Sequence, residues 1–468
     1  MRCITRTVAA VLVFLQLFLS SAQAAPLLIR NVDVIDGTGS PIQKKRNVLI
    51  DAGRILSVTP ASNSKLPPGT KIVEASGLTM IPGLWDMHVH WYDGRFLPLF
   101  IANGVTGVRQ MWGLDMHYAW RAKENDPSFI GPKQLIASVI IDGAPKVWPD
   151  SIEVTDPNAA REQVRLFHDK GADFIKVYSH LNRDVYFSIA DESKKLGIPF
   201  AGHVPDRITL VEASDAGQKS MEHLIRLDIA VMKDPASLRA KYLGQAMTPE
   251  AVLAMQEDIV SAEDAQTKAM LFKKFIANGT WQSPTLTVLR NGAYFRERAE
   301  LDKERLTYLP LQVTTDWLPK NNSQLKLITD ERQWRAAQLR FAHLQHLVGE
   351  MHKAGVKILA GTDVLNPYCF PGFSLHDELE LLVESGLPPM AALQAATLNA
   401  AEYSGKLKDL GTVTEGKVAD LVLLSADPLA DIRNTRKITA VILNGVLHDR
   451  TELDAMLKNM QKQANYGK

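Results

Sequence analysis

Gly83-Leu84-Trp85-Asp86-Met87-His88-Val89-His90 ends an apolar run with two imidazoles two residues apart. A β-strand turns successive side chains to opposite faces, so a strand ending here presents His88 and His90 on one side. Neutral imidazole is the commonest protein ligand for a metal, and a His-x-His pair supplies two of the donors that a divalent cation takes. The same pair also occurs on strand surfaces that bind nothing, so its meaning depends on the donors elsewhere in the chain. Downstream lie Lys176 in Asp173-Phe174-Ile175-Lys176-Val177-Tyr178, His203 in Pro199-Phe200-Ala201-Gly202-His203, His223 in Met221-Glu222-His223, and Asp363 in Ile358-Leu359-Ala360-Gly361-Thr362-Asp363. Each stands at or just past a short apolar run that reads as a buried strand.

From about residue 81 to residue 405, such strands alternate with amphipathic helices, the pattern of a parallel sheet with crossover helices. Strand ends are predicted near His90, Gln110, Ser138, Tyr178, His203, His223, Thr287 and Asp363. Eight in order fit an α/β fold of the (β/α)8 TIM-barrel type, in which reactive side chains gather at the carboxyl ends of the strands. Residues 25–80 and 406–450 have another texture, β-rich runs joined by glycine-containing turns, and predict a small β-sandwich domain built from both ends of the mature chain. Residues 451–468 read as a C-terminal helix or tail. Two stretches, 228–275 and 290–340, are longer than plain connections and read as excursions over the barrel mouth, as a lid or a substrate wall. Packing or a subunit contact is their alternative.

The 468 residues are 46% hydrophobic and 22% charged, enough for a large core, and the formal charge of +1 gives no general attraction to nucleic acid or acidic membranes. At the N-terminus, Arg2 and Arg6 precede an apolar run from Val8 to Leu19 and Ala22-Gln23-Ala24, which together read as a cleavable secretory signal over residues 1–24. The expectation is a periplasmic or secreted protein with a mature start near Ala25 and no stable membrane span after cleavage; an uncleaved anchor is the alternative. Cys3 would leave with the signal, so Cys369 would remain alone and is read as structural.

Taken together, these residues resemble the amidohydrolase superfamily, and more narrowly its imidazolonepropionase-like and prolidase-like hydrolases. The resemblance runs from Pro82-Gly83-Leu84-Trp85-Asp86-Met87-His88-Val89-His90 through Ala360-Gly361-Thr362-Asp363 and Ala395-Ala396-Thr397-Leu398-Asn399-Ala400-Ala401 to Gly411-Thr412-Val413-Thr414-Glu415-Gly416-Lys417-Val418-Ala419-Asp420-Leu421-Val422. It implies that His88, His90 and Asp363 bind one divalent ion and that His203 and His223 bind a second. It further implies that Lys176, carboxylated by carbon dioxide, bridges two zinc ions, although manganese, cobalt and iron suit the same donors. Burial among Phe174, Ile175 and Val177 would favour the neutral, nucleophilic amine that carboxylation needs; an ordinary paired lysine is the alternative.

The implied activity is that of an exported metal-dependent hydrolase cleaving an amide bond in a small molecule, such as a short peptide or N-acyl amino acid, with Asp363 as proton shuttle. Arg109, Tyr178 and His180 are candidate substrate partners, with a structural ion pair for Arg109 and simple packing for Tyr178 as alternatives. Asp86 is read as orienting its neighbours rather than ligating. His117, His168, His343, His346, His352 and His448 fall in helical or surface contexts and read as structural. Esterase, lactonase or organophosphate hydrolase activity on the same centre is the competing reading, and a non-catalytic, metal-bound envelope binding protein is a third. No nucleic-acid partner is expected, and the sequence is compatible with a homo-oligomer.

Overall fold

The structure, a computed structural model, describes residues 25–465 apart from 61–65, 125, 127, 243–248, 319 and 322–329. The expected signal, 1–24, and the last residues of the tail lie outside the described residues. Seven parallel strands in the middle of the chain form the successive staves: Leu84–Val89, Val105–Gln110, Lys133–Ile136, Ile175–Val177, Phe200–Gly202, Ser220–Glu222 and Trp281–Ser283, with two short parallel strands, Ile141–Asp142 and Ile152–Glu153, added beside the fourth. An eighth segment, 358–364, completes the ring through single parallel bridges. Ala137 to Phe174 joins the third strand to the fourth, Gln282 to Ile358 joins the seventh to the eighth, and Val89 to Val364 returns to the first. This is the expected (β/α)8 barrel.

One strand end differs from expectation. The seventh strand stops at Ser283 because Pro284 has no N–H for the ladder and Thr285 turns left-handed at φ 49°. Thr287 therefore lies in the helix Leu286–Ala293. The crossover helices carry their own start and stop signals. In Pro157–Asp169, the Asp156 side chain accepts from the N–H groups of Asn158 and Ala159, Pro157 presets the first turn, and Ala160, Val164 and Phe167 form the buried stripe. Arg183–Leu196 stops at Gly197, whose φ of 71° closes the helix end.

Both ends of the chain enter one eight-stranded sheet. The N-terminal part gives Leu27–Val34, Gln43–Asp51, Arg54–Pro60, Lys71–Glu74 and Thr79–Pro82; the C-terminal part gives Leu421–Leu424, Ile438–Leu443 and Val446–Asp449. Leu421–Leu424 pairs antiparallel with Thr79–Pro82, and a bridge from Arg54 to Val418 brings the opposite edge back to the same strand's entry. The sandwich is thus a single sheet curled over a core that includes Ile29, Val48, Ile50, Leu421 and Ile442. The helix Arg450–Asn465 follows and packs against Leu97–Ala102 on the barrel.

A buried ion pair joins the two bodies: Lys133 Nζ on the third barrel strand lies 2.6 Å from Asp420 Oδ2, with side-chain exposures of only 11% and 4%. Removing one partner of such a pair leaves the other charge uncompensated. Lys133→Ala should therefore destabilise the protein by about 3 kcal/mol in denaturant unfolding, whereas a surface-like change below about 0.5 kcal/mol would contradict the coupling.

Candidate metal centre

His88 reaches the end of the first strand fully buried, and both of its ring nitrogens have a direction. Its Nδ1–H donates to Glu222 Oε2 at 2.7 Å, which leaves Nε2 as a lone-pair donor. That nitrogen is 3.1 Å from His90 Nε2 and 3.3 Å from Asp363 Oδ1, and His90 Nε2 is 3.1 Å from the same oxygen. One ligand atom from each of the three lies within 4.8 Å of the others. Asp363 Oδ1 is buried without a well-formed hydrogen bond, so its surroundings offer it proximity to two imidazoles but no satisfied partner. A cation shared by these three groups fits that donor set.

The remaining imidazoles crowd the same place. The His223 ring lies 4.5 Å from that of His88 and 4.9 Å from that of His203. His203 Nδ1 is held by Ser179 Oγ at 2.8 Å and His223 Nδ1 by Thr285 Oγ1 at 2.7 Å, which orients each ring with Nε2 as its available donor. Backbone strain helps to bring them in. Strand alternation would send Glu222 and His223 to opposite faces, yet His223 has φ 63° and so turns back to the site that Glu222 already serves. Asp363 has φ 60°. Left-handed backbone at such residues costs on the order of 1 kcal/mol each and gathers at functional sites.

Burial holds the His88 and His203 rings well below the usual imidazole range, with neighbouring cationic groups adding to it, and takes His223 down to about 4. All three are neutral near pH 7, the form that ligates. Burial pushes the Asp363 carboxyl up, but His223, His90 and Lys176 outweigh it and hold the group below the usual range. Lys176 is wholly buried, its Nζ makes no hydrogen bond, and burial lowers its amine to about 8 against the pull of Glu222 and Asp363. Burial raises the Asp86 carboxyl to about 7. Asp86 accepts from His88 N–H at 3.2 Å and from Thr362 N–H and Oγ1–H at 3.0 and 2.6 Å, and so ties the first strand to the segment carrying Asp363. Strand pairing shifts register between Asp86 and Val89, so simple alternation does not link Asp86 to His88.

Two of the expected substrate partners are elsewhere. Arg109 is fully buried, donates to Ser220, Tyr403 and Glu222 at 2.7, 2.8 and 2.8 Å, and is absent from the cavity wall. The second and sixth strands are not neighbours, so this contact crosses the barrel interior. It gives the Glu222 charge its counterion. His180 hydrogen-bonds the Pro145 carbonyl and does not line the cavity either. Tyr178 does line it, stacked on His203 with centroids 3.9 Å apart, and its hydroxyl accepts from Trp148 Nε1 at 2.8 Å. Glu222 is the residue that reading for histidines passed over; a carboxylate at the end of an apolar strand, directly before His223, is the signal that marks it.

His90, His203, His223 and Asp363 open onto a cavity of about 720 Å³. Its wall is largely apolar and aromatic, with Trp112, Trp148, Leu289 and Leu365, and the stretch 290–340 adds Val313, Asp316, Trp317, Asn321 and Arg340. That excursion walls the cavity. Among the described residues, 228–275 contributes none of the lining.

The amidohydrolase family profile matches residues 79–447. Ochratoxinase of Aspergillus niger is 37% identical over 455 residues, covering 90% of this chain and 87% of that protein. Among solved structures, a bottromycin amidohydrolase superposes with a TM-score of 0.75 at 22% identity, covering 94% of this chain and 90% of its own. A Xaa-Pro dipeptidase with methionine in its active site superposes with a TM-score of 0.65 at 20% identity, covering 91% and 100%.

Because Glu222 fixes which nitrogen of His88 carries the proton, Glu222→Gln should weaken zinc binding by about 10–100-fold in a chelator-competition titration. An unchanged affinity would show that the contact does not orient the ligand.

Proposed function

The chain belongs to the amidohydrolase family, and we propose that it hydrolyses the carbon–nitrogen bond of a small-molecule amide, with N-acyl amino acids and short peptides as the substrate class. The observation that carries this reading is the convergence of His88, His90 and Asp363 beside a roomy, largely apolar cavity. In this reading His88, His90 and Asp363 would hold one zinc ion, His203 and His223 would hold a second, and Lys176 would supply a further ligand. Bound there, the ions would lower the pKa of a water toward neutrality and polarise the scissile carbonyl.

The chain's own groups do the rest. The unbonded Lys176 amine, made partly neutral by burial, adds to carbon dioxide with loss of a proton and becomes a carbamate with two ligand oxygens. Asp363 takes the proton that the attacking water gives up and passes it to the leaving nitrogen. Tyr178 keeps its proton, since burial raises its pKa, and donates it in a hydrogen bond to the carbonyl oxygen as negative charge develops. Esters, lactones and phosphotriesters compete as substrates for such a centre, so activity is to be measured across all four classes.

Asp363→Asn should retain bound metal while lowering kcat for the best amide by about 10²–10⁴-fold; wild-type turnover in that variant would refute the shuttle. Export belongs to the same proposal, resting on Arg2, Arg6, the run Val8 to Leu19 and Ala22-Gln23-Ala24. Sequencing the N-terminus of the protein from its producing cells should find Ala25 first, and an intact Met1 would contradict it.

A further inference from the structure

One guanidinium on the cavity wall is anchored at one side and open at the other. Arg340 stands on the helix Glu331–Ala354 and lines the cavity together with His90 and Asp363. Its Nε donates to Asp228 Oδ2 at 2.6 Å, and neither of its terminal NH2 groups makes a hydrogen bond among the described residues. Asp228 is itself 2% exposed in its side chain, on the short helix Leu227–Ala230 that begins four residues after His223. The arginine is therefore positioned by the same loop that positions a site imidazole. The Arg340 side chain is 38% exposed. Since Arg340 lines the cavity, that exposure gives its two free NH2 groups access to a bound molecule.

Outside the candidate metal centre, the other charged groups on the wall are already engaged. Arg226 pairs with Asp206 and the Val204 carbonyl, and Asp316 accepts from Gln312. Among the described residues, Arg340 alone on this wall offers two parallel, unspent donors carrying a positive charge, the arrangement that matches the two oxygens of a carboxylate. We infer that Arg340 receives the free carboxylate of the substrate, so that this enzyme selects N-acylated acids over otherwise identical neutral amides. The inference rests on the cavity being the amide-hydrolysing site, and it moves the carboxylate contact from Arg109, which is spent in the barrel interior, to Arg340.

The test compares N-benzoyl-leucine with N-benzoyl-3-methylbutylamine, which lacks only the carboxylate. Metal-loaded wild-type protein should prefer the acid in kcat/KM, and Arg340→Met should lower the ratio of the two values by about 100-fold. Arg340→Lys, which keeps a cation for Asp228 but loses the fork, should fall between them. Calorimetric binding of N-benzoyl-leucine to metal-loaded Asp363→Asn protein reads the same contact without turnover, and adding Arg340→Met there should raise Kd at least tenfold. If the wild-type protein cleaves neither amide, the hydrolytic reading fails while this binding measurement still decides the role of Arg340. An unchanged ratio in both folded Arg340 variants, or an unchanged Kd, would overturn the inference.

Discussion

The contact between His88 Nδ1 and Glu222 Oε2 meets two demands of the barrel interior at once. A carboxylate with no solvent exposure needs a counterion, and Arg109 supplies it from across the ring at 2.8 Å. A buried imidazole that is to donate a lone pair in one direction needs its proton fixed in the other, and Glu222 does that. Because His88 is thereby aimed, His90 and Asp363 can converge on the same point, and Asp86 holds the strand ends that carry them. The convergence of these three side chains is therefore tied to how a buried charge is neutralised inside the barrel.

The rest of the fold serves that arrangement from a distance. Ring closure at Val89 and Val364 places the first and last donors side by side although hundreds of residues separate them in sequence. The curled sheet made from both chain ends closes under the barrel through the strand Leu421–Leu424 and the pair Lys133–Asp420, so the chain cannot open from either end without losing core. Over the mouth, the excursion 290–340 converts an open rim into a walled cavity. Trp317 is fastened there by its Nε1–H to the Leu365 carbonyl at 3.1 Å, which ties the wall to the segment just beyond Asp363.

Much of this was legible in the amino-acid sequence because parallel barrels write their strands as short apolar runs and place polar residues at the run ends. That pattern located His88, His90, Lys176, His203, His223 and Asp363, and the split β-domain. What it missed depends on geometry beyond single-strand alternation. Arg109 stands next to Gln110, which does line the cavity, but its partners Glu222, Ser220 and Tyr403 come from other parts of the chain and hold it in the barrel interior. His180 follows Lys176 and Tyr178 at even spacing, yet the strand has ended at Val177 and the alternation no longer applies. The turn at Pro284 cut the seventh strand short of Thr287. Arg340 lies on a helix far from any barrel strand and carries no local signal; only the packing against Asp228 brings it to the cavity.

The most direct measurement is anomalous diffraction at the zinc edge from crystals of the zinc-loaded protein. A peak at about 2.0–2.2 Å from His88 Nε2, His90 Nε2 and an Asp363 oxygen is the predicted result, with a second beside His203, His223 and a carboxylated Lys176. Zinc bound at some other group of residues, with the His88, His90 and Asp363 side chains turned apart, would contradict it.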